Sequence, residues 1–294
     1  PGSGKTRVIM AKLLLLAEQL EDTPRSVGCI TYTNAAVEEI ESRIKQNGSQ
    51  SLLERCEIAT IHAFCLRFVL KPYCWLIPEL PNDFKILTRE MSLFDRLVRT
   101  VEEEIGRAVQ FRTFEDYASL RMNTEGRAAG VGIEGGIVSE ANATRYWELM
   151  RRNGYIDFAM ILFYSLRILR EHSFVARGLS CRFSSLLVDE FQDTTDVQIA
   201  ILGELNRHLQ SRFFLVASRS MVARALVRTW GKRSQSMCKL SRAMFSQVIS
   251  VAHLRSLIPP KHLRRACLPC TQQARLQELL ELSNTVTSSL LLAG

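Results

Sequence analysis

The sequence predicts an α/β fold built on a parallel sheet. Three observations carry this expectation. Helix-like and strand-like segments alternate over residues 7–70. A later strand, 185–188, runs apolar through Leu186, Leu187 and Val188 instead of alternating, as strands of buried parallel sheets do. A glycine-rich turn, Pro1-Gly2-Ser3-Gly4, opens the chain directly before a helix.

The elements follow in order. Residues 7–20 hold Val8, Leu15, Leu16 and Leu20 at helical spacing, and Asp22-Thr23-Pro24 ends that helix. Residues 27–32 read as a short buried strand. Asn34 leads into a helix over 35–45, stopped by Asn47-Gly48. A strand at 57–61 is followed by a helix over about 62–70. Pro72, Pro78 and Pro81 punctuate the next stretch. From 88 to about 150 the pattern is helical, over 91–105, 114–121 and 141–151, with a glycine-rich interruption at 126–136. That stretch reads as a helical insertion into the α/β unit. An amphipathic helix at 156–170, the strand at 185–188, a helix at 197–209 and a core strand at 213–216 complete the pattern. The expected division is 1–87 and 151–216 as two parts of one α/β domain, 88–150 as the helical insertion, and 217–294 as a basic tail.

Composition sets limits on function. With 294 residues and 47% hydrophobic side chains, the chain can bury a core and is too apolar to be wholly disordered. No apolar run, 13–17 included, approaches the ~20 residues a membrane span needs. No signal peptide is visible in the sequence, and a cytoplasmic protein with no membrane partner is expected. The absence of an initial Met suggests a fragment or a missing start. The 8 cysteines are scattered, and reduced thiols are the default. Cys267-Leu268-Pro269-Cys270, with His262 nearby, supplies half a zinc site at best. The net charge of +8 invites a nucleic-acid partner, but it is unevenly spread. Residues 217–294 hold 12 Lys/Arg and 2 acids, a net of +10, which leaves 26 basic and 28 acidic side chains, a net of −2, in 1–216.

Two segments carry chemistry. Pro1-Gly2-Ser3-Gly4-Lys5-Thr6 matches the phosphate-binding loop GxxxxGK[ST] at all but its first position. Glycines let backbone N–H groups curl around phosphate oxygens, and the following helix points its positive end at them. Lys5 would supply a point charge to the β- and γ-phosphates, and the Thr6 hydroxyl would ligate Mg²⁺. The leading glycine and its strand would lie upstream of Pro1. Leu186-Leu187-Val188-Asp189-Glu190 is an apolar strand tipped by two carboxylates, the form of a Walker B segment. Asp189 would hold Mg²⁺, and Glu190 would orient or deprotonate an attacking water. A solvated acid pair at a strand end has the same look, but Asp189-Glu190-Phe191-Gln192-Asp193-Thr194 is a much rarer string.

Gly2-Ser3-Gly4-Lys5-Thr6, Thr31-Tyr32-Thr33-Asn34-Ala35-Ala36, Thr60-Ile61-His62-Ala63-Phe64 and Asp189-Glu190-Phe191-Gln192-Asp193-Thr194 occur in that order. Together they resemble motifs I, Ia, Ib and II of superfamily 1 DNA helicases of the UvrD/Rep type. Gly154-Tyr155-Ile156-Asp157-Phe158 resembles the segment that precedes motif II in that family. The resemblance covers residues 1 to about 216. It implies a RecA-like P-loop ATPase core that uses ATP and Mg²⁺, translocates on single-stranded DNA, usually 3′ to 5′, and separates duplexes in repair, replication or recombination. On the matching positions, Pro1, Gly2, Ser3, Gly4, Lys5, Thr6, Arg7 and Gln192 would bind the nucleotide. Lys5 and Glu190 would be catalytic, and Thr6 and Asp189 would hold the metal. Thr33, Asn34, Thr60, His62 and Phe64 would lie along the DNA. Phe64 could stack on a base or pack inside its helix, and Thr and Asn side chains could bind phosphate oxygens.

The pattern breaks after the strand at 213–216. The family continues with roughly Gly-Asp-x-x-Gln-Ser and an arginine soon after, whereas this chain reads Ala217-Ser218-Arg219-Ser220-Met221-Val222. The second RecA-like domain, with the arginine finger that completes the ATP site, is not recognisable in 217–294. Residues 205–277 contain no acid at all. Loss of reading frame near 216 or 217 accounts for this change. The competing reading is a basic nucleic-acid tail with Arg219, Arg224, Arg228, Lys232 and Arg233 on phosphates. The expectation is the ATP-binding part of a helicase, with little or no ATPase activity and no unwinding alone. A helicase–nuclease subunit, a non-catalytic single-strand-binding module and an inert remnant are the alternatives.

Overall fold

The structure, a computed structural model, describes residues 5–20, 23–47, 50–209 and 213–215. Along the chain, α1 (Lys5–Glu18) leads to β1 (Ser26–Thr31), α2 (Asn34–Asn47), α3 (Gln50–Glu54) and β2 (Cys56–Thr60). The helix expected at 62–70 is composite: α4 (Ile61–Cys65), a π-helical turn at Leu66–Leu70, then α5 (Lys71–Tyr73). The Lys71 N–H reaches back five residues to the Leu66 carbonyl, and Pro72 has no N–H to offer. Next come β3 (Lys85–Ile86), α6 (Ser92–Glu104), α7 (Phe111–Ala118), β4 (Arg121–Met122) and β5 (Ala128–Ala129). They are followed by α8 (Val131–Glu134), α9 (Glu140–Arg152), β6 (Tyr155–Ile156), α10 (Phe158–Glu171) and α11 (Ser173–Arg182). The last described elements are β7 (Phe183–Val188), α12 (Asp196–Leu209) and β8 (Phe213–Leu215).

The fold is mixed α/β with a parallel sheet, as expected. The chain divides into two units. The first takes in the described residues of Pro1–Thr60, Ser180–Thr194 and Leu209–Gly294; the second is Ile61–Leu179 with Thr195–His208. The expected boundaries at 87/88 and 150/151 both fall inside the second unit.

In the first unit four strands pair in parallel in the order β2-β1-β7-β8. Every residue of β7 is buried, and β1 is buried from its second residue on. This is why neither strand alternates apolar with charged residues. Gly28 stands opposite Leu186, and a Cβ there would lie 2.5 Å from Leu186 Cδ1, so the close approach of β1 and β7 favours glycine. The core joins Ile9, Leu13 and Ala17 of α1, Ile40 and Ile44 of α2, Val27, Cys29 and Cys56 of the strands, and Leu187. Arg25 fastens the entry to β1 by donating from Nη2 to the carbonyls of Ser180 at 2.6 Å and Phe183 at 3.0 Å.

The second unit is mainly helical, with a two-stranded parallel pair β3–β6 and an antiparallel hairpin β4–β5. Its interior is aromatic: Tyr146 meets Phe94 and Tyr117 edge-on at ring distances of 6.1 and 5.2 Å. Glu102 is buried here, and the Tyr117 hydroxyl donates to its Oε1 at 2.8 Å. The helix expected over 114–121 stops short, and Arg121 begins β4 instead. The reason is local. Asn123 Oδ1 accepts from the N–H groups of Glu125 at 3.0 Å and Arg127 at 2.9 Å, and Gly126 sits at φ +81°. These two hydrogen bonds and the positive φ turn the chain into a hairpin.

Candidate functional site

In a parallel sheet every strand ends at the same edge, and ligands bind beyond that edge. Here the register pairs Thr31 with Thr60 and Ile30 with Val188, so the carboxyl ends of β1, β2 and β7 are level. Thr31, Thr60 and Asp189 therefore share one sheet edge in the first unit.

Asp189 is 8% exposed at the tip of β7, and its N–H still donates to the Ile30 carbonyl at 2.8 Å. Its Oδ1 accepts the Glu190 N–H at 2.9 Å. The burial of Cys29, with the Asp189 charge beside it, pushes the Cys29 thiol far up, so that thiol stays protonated. Glu190 has φ 48° and ψ 41°, the one positive φ outside glycine among the described residues. The left-handed residue ends the strand abruptly and starts a 3₁₀ turn over Phe191–Asp193. The Asp193 N–H closes the turn on the Glu190 carbonyl at 2.9 Å, and Thr194 Oγ1 donates to the Phe191 carbonyl at 2.7 Å. The Asp189 carboxylate is thus held at the strand tip by a backbone N–H, and the Glu190 backbone by the turn that follows.

At the end of β1, Thr31 Oγ1 donates to the Thr33 carbonyl at 3.1 Å, and Thr33 Oγ1 accepts the Ala36 N–H at 3.1 Å. Thr33, not Asn34, therefore caps α2. Asn34 is exposed in the first turn of α2, and Tyr32 beside it is 55% exposed. Thr6 lies partly buried in α1. Pro1, Gly2, Ser3 and Gly4, and the side chains of Lys5, Arg7 and Gln192, lie outside what the structure describes. Residues 216–294, with Cys267, Cys270 and the basic tail, also lie outside it.

The other two expected DNA residues belong to the second unit. His62 is in the first turn of α4, with its ring edge-on to Phe158 at 5.6 Å. Burial lowers its pKa from the ordinary value, and the positive charge of Arg121 lowers it further. Phe64 is 1% exposed and packs on Phe68 at 5.1 Å. Its ring presents no face to a base here; it holds the helix that carries His62. The exposed aromatic beside His62 is Phe158, at 52%, directly after the N-cap Asp157 of α10. Periodicity conceals it, because Ile161 and Leu162, three and four residues on, are both buried. Asp157 accepts from the Met160 N–H and from Trp147 Nε1, each at 2.8 Å. Burial nevertheless raises its carboxyl pKa above the ordinary range, because these bonds only partly offset the lost solvation. Among the described residues no helix is long and apolar enough to cross a membrane.

Comparison with known proteins gives consistent matches. The profile of the UvrD/REP helicase N-terminal domain matches residues 1–218. The chain is 26% identical to a probable DNA helicase II homolog of Mycoplasma pneumoniae over 235 residues, covering 76% of this chain and 32% of that protein. It is 27% identical to the ATP-dependent DNA helicase Rep of Buchnera aphidicola over 223 residues, 73% of this chain and 32% of the relative. It is 29% identical to DNA helicase II of Salmonella typhimurium over 206 residues, 68% of this chain and 28% of the relative. The chain thus spans about a third of the length of these relatives.

Proposed function

The chain belongs to the UvrD/REP helicase family through its N-terminal domain, and from that premise we propose that it is the ATP-binding portion of an ATP-dependent translocase on single-stranded DNA. The observation that carries the proposal is the level sheet edge bearing Thr31, Thr60 and the buried Asp189, with Glu190 locked behind it in a left-handed turn. Residues 88–150 are, on this reading, a helical subdomain inserted into a RecA-like core. The parent protein moves 3′ to 5′ and serves DNA repair, replication or recombination.

The donor set suits a nucleotide with a hard divalent cation. The Thr6 hydroxyl and the Asp189 carboxylate offer oxygen only, which favours Mg²⁺ over softer metals. Bound Mg²⁺ would neutralise charge on the β- and γ-phosphates. Lys5 adds a point charge to the same phosphates, from the start of α1, where backbone N–H groups are unsatisfied. Glu190 accepts the proton of the attacking water, and its left-handed backbone fixes the direction from which it does so. Gln192, one residue past Phe191, answers to the nucleotide. Thr33, Asn34, Thr60 and His62 contact the DNA strand, and Phe158 takes the stacking role first considered for Phe64.

The test is ligand-induced stabilisation. ATP with Mg²⁺ at about 100 times its Kd stabilises a binding protein by ~2.7 kcal/mol. The melting temperature should rise with ATP–Mg²⁺ in the wild-type chain and stay fixed in Lys5→Ala. A wild-type chain indifferent to ATP–Mg²⁺ would overturn the proposal.

A further inference from the structure

Several arginines of the second unit pair with a carboxylate. Arg89, Arg107, Arg145, Arg152, Arg167 and Arg170 each reach a carboxylate oxygen, at 2.6–3.8 Å. Arg121 differs. It is exposed, and no carboxylate of the described residues pairs with it. Its Nη1 leans on two carbonyls of its own loop, Ser119 at 3.3 Å and Leu120 at 3.2 Å. Both are long for hydrogen bonds from a guanidinium. The carboxylate of Asp157, the N-cap of α10, feels the Arg121 charge but hydrogen-bonds to the Met160 N–H and to Trp147.

This unpaired cation is held in place. β4 packs against α10, whose first residue is Phe158. At the tip of the hairpin, Gly126 lies so close to Phe163 of α10 that a Cβ there would come within 2.6 Å of the ring. The positive charge of Arg121 is felt at both His62 and Asp157, which places it in the neighbourhood of the His62–Phe158 ring pair. An exposed aromatic face, an imidazole and an exposed guanidinium therefore gather within one unit. That combination binds a single strand through base stacking and phosphate contact together.

We propose that Arg121, on the β4–β5 hairpin, is a phosphate-binding residue for single-stranded DNA, acting beside His62 and the exposed ring of Phe158. The proposal rests on the function given above and adds to it a contact outside the four sequence motifs. A phosphate would replace two weak carbonyl contacts with charge-assisted, bidentate ones. Lysine keeps the charge but not the fork.

The experiment is a fluorescence-anisotropy titration of the full chain with labelled oligothymidylate over a KCl series. Arg121→Ala should weaken binding about 3–10-fold and lower the slope of log K against log salt by about 0.7, the loss of one single-strand phosphate contact. Arg121→Lys should restore the slope. Phe158→Ala should weaken binding at least about 5-fold with the slope unchanged, since stacking releases no counterion. Should Arg121→Ala melt early, Arg121→Gln serves in its place. If removing the Arg121 charge leaves affinity and slope unaltered while Phe158→Ala weakens binding, the Arg121 inference is wrong and the DNA reading stands. If the wild-type chain binds no oligothymidylate, both fall together.

Discussion

His62 stands where sequence motif and physical chemistry meet. Its ring is partly withdrawn from water against Phe158, and Arg121 adds a like charge to any proton it takes up. Both effects disfavour the imidazolium, so the folded-state pKa lies below the unfolded value of about 6.5. The unfolded chain therefore binds this proton first as pH falls. The His62 contribution to stability is complete above about pH 6.5 and is lost as pH drops through the folded pKa. His62→Gln should flatten this part of the acid limb: melting temperatures of the two proteins, compared at pH 7 and at pH 5, should differ by unequal amounts. Parallel pH profiles would show that His62 is not held neutral. At the same scale, Asp189 and Glu190 were legible from sequence because two acids after an apolar strand form a rare string. Phe158 and Arg121 were not. Their significance comes from a ring left exposed at a helix end and a cation left unpaired, and neither is a property of local sequence.

The elements themselves were legible where periodicity ran long. α1, α2, α6, α9, α10 and α12 all lie within a few residues of their expected spans, and β1, β2 and β7 likewise. Two-residue strands show no period at all, so β3, β4, β5 and β6 were invisible, and Arg121 was assigned to a helix. The π turn at Leu66–Leu70 was also hidden, since a single shifted hydrogen bond leaves the apolar spacing nearly intact. The β4–β5 hairpin shows how a few residues fix an element. Asn123 supplies the turn bonds, and Gly126 supplies both the positive φ and the room for Phe163. Gly126→Ala meets two obstacles at once: a left-handed backbone and a Cβ 2.6 Å from a buried-side ring atom. It should cost about 1–3 kcal/mol in denaturant unfolding. Because the hairpin carries Arg121, it should also reduce oligothymidylate affinity. Unchanged unfolding would mean that the hairpin tip is not seated on α10.

For the whole molecule, binding and chemistry make different demands. Gripping a triphosphate needs one sheet edge, one helix start and a few oxygen donors, and the first unit carries the residue types for all of these. Hydrolysis needs charge supplied from the far side of the γ-phosphate as well, and an arginine finger in that place raises kcat by about 10³–10⁵. The chain spans about a third of its relatives, and after residue 216 it reads Ala217-Ser218-Arg219-Ser220 where the family reads Gly-Asp-x-x-Gln-Ser. The two properties should therefore separate. ATP–Mg²⁺ should raise the melting temperature in a Lys5-dependent way, while steady-state phosphate release stays near background even with saturating oligothymidylate. Measuring both on one preparation distinguishes binding without turnover from an unfolded chain, since the latter would fail the binding assay too. Robust turnover that Lys5→Ala abolishes would show that this one third of the family's length already assembles the γ-phosphate side of the site. The basic residues Arg219, Arg224 and Arg228 would then be the first candidates for the missing charge.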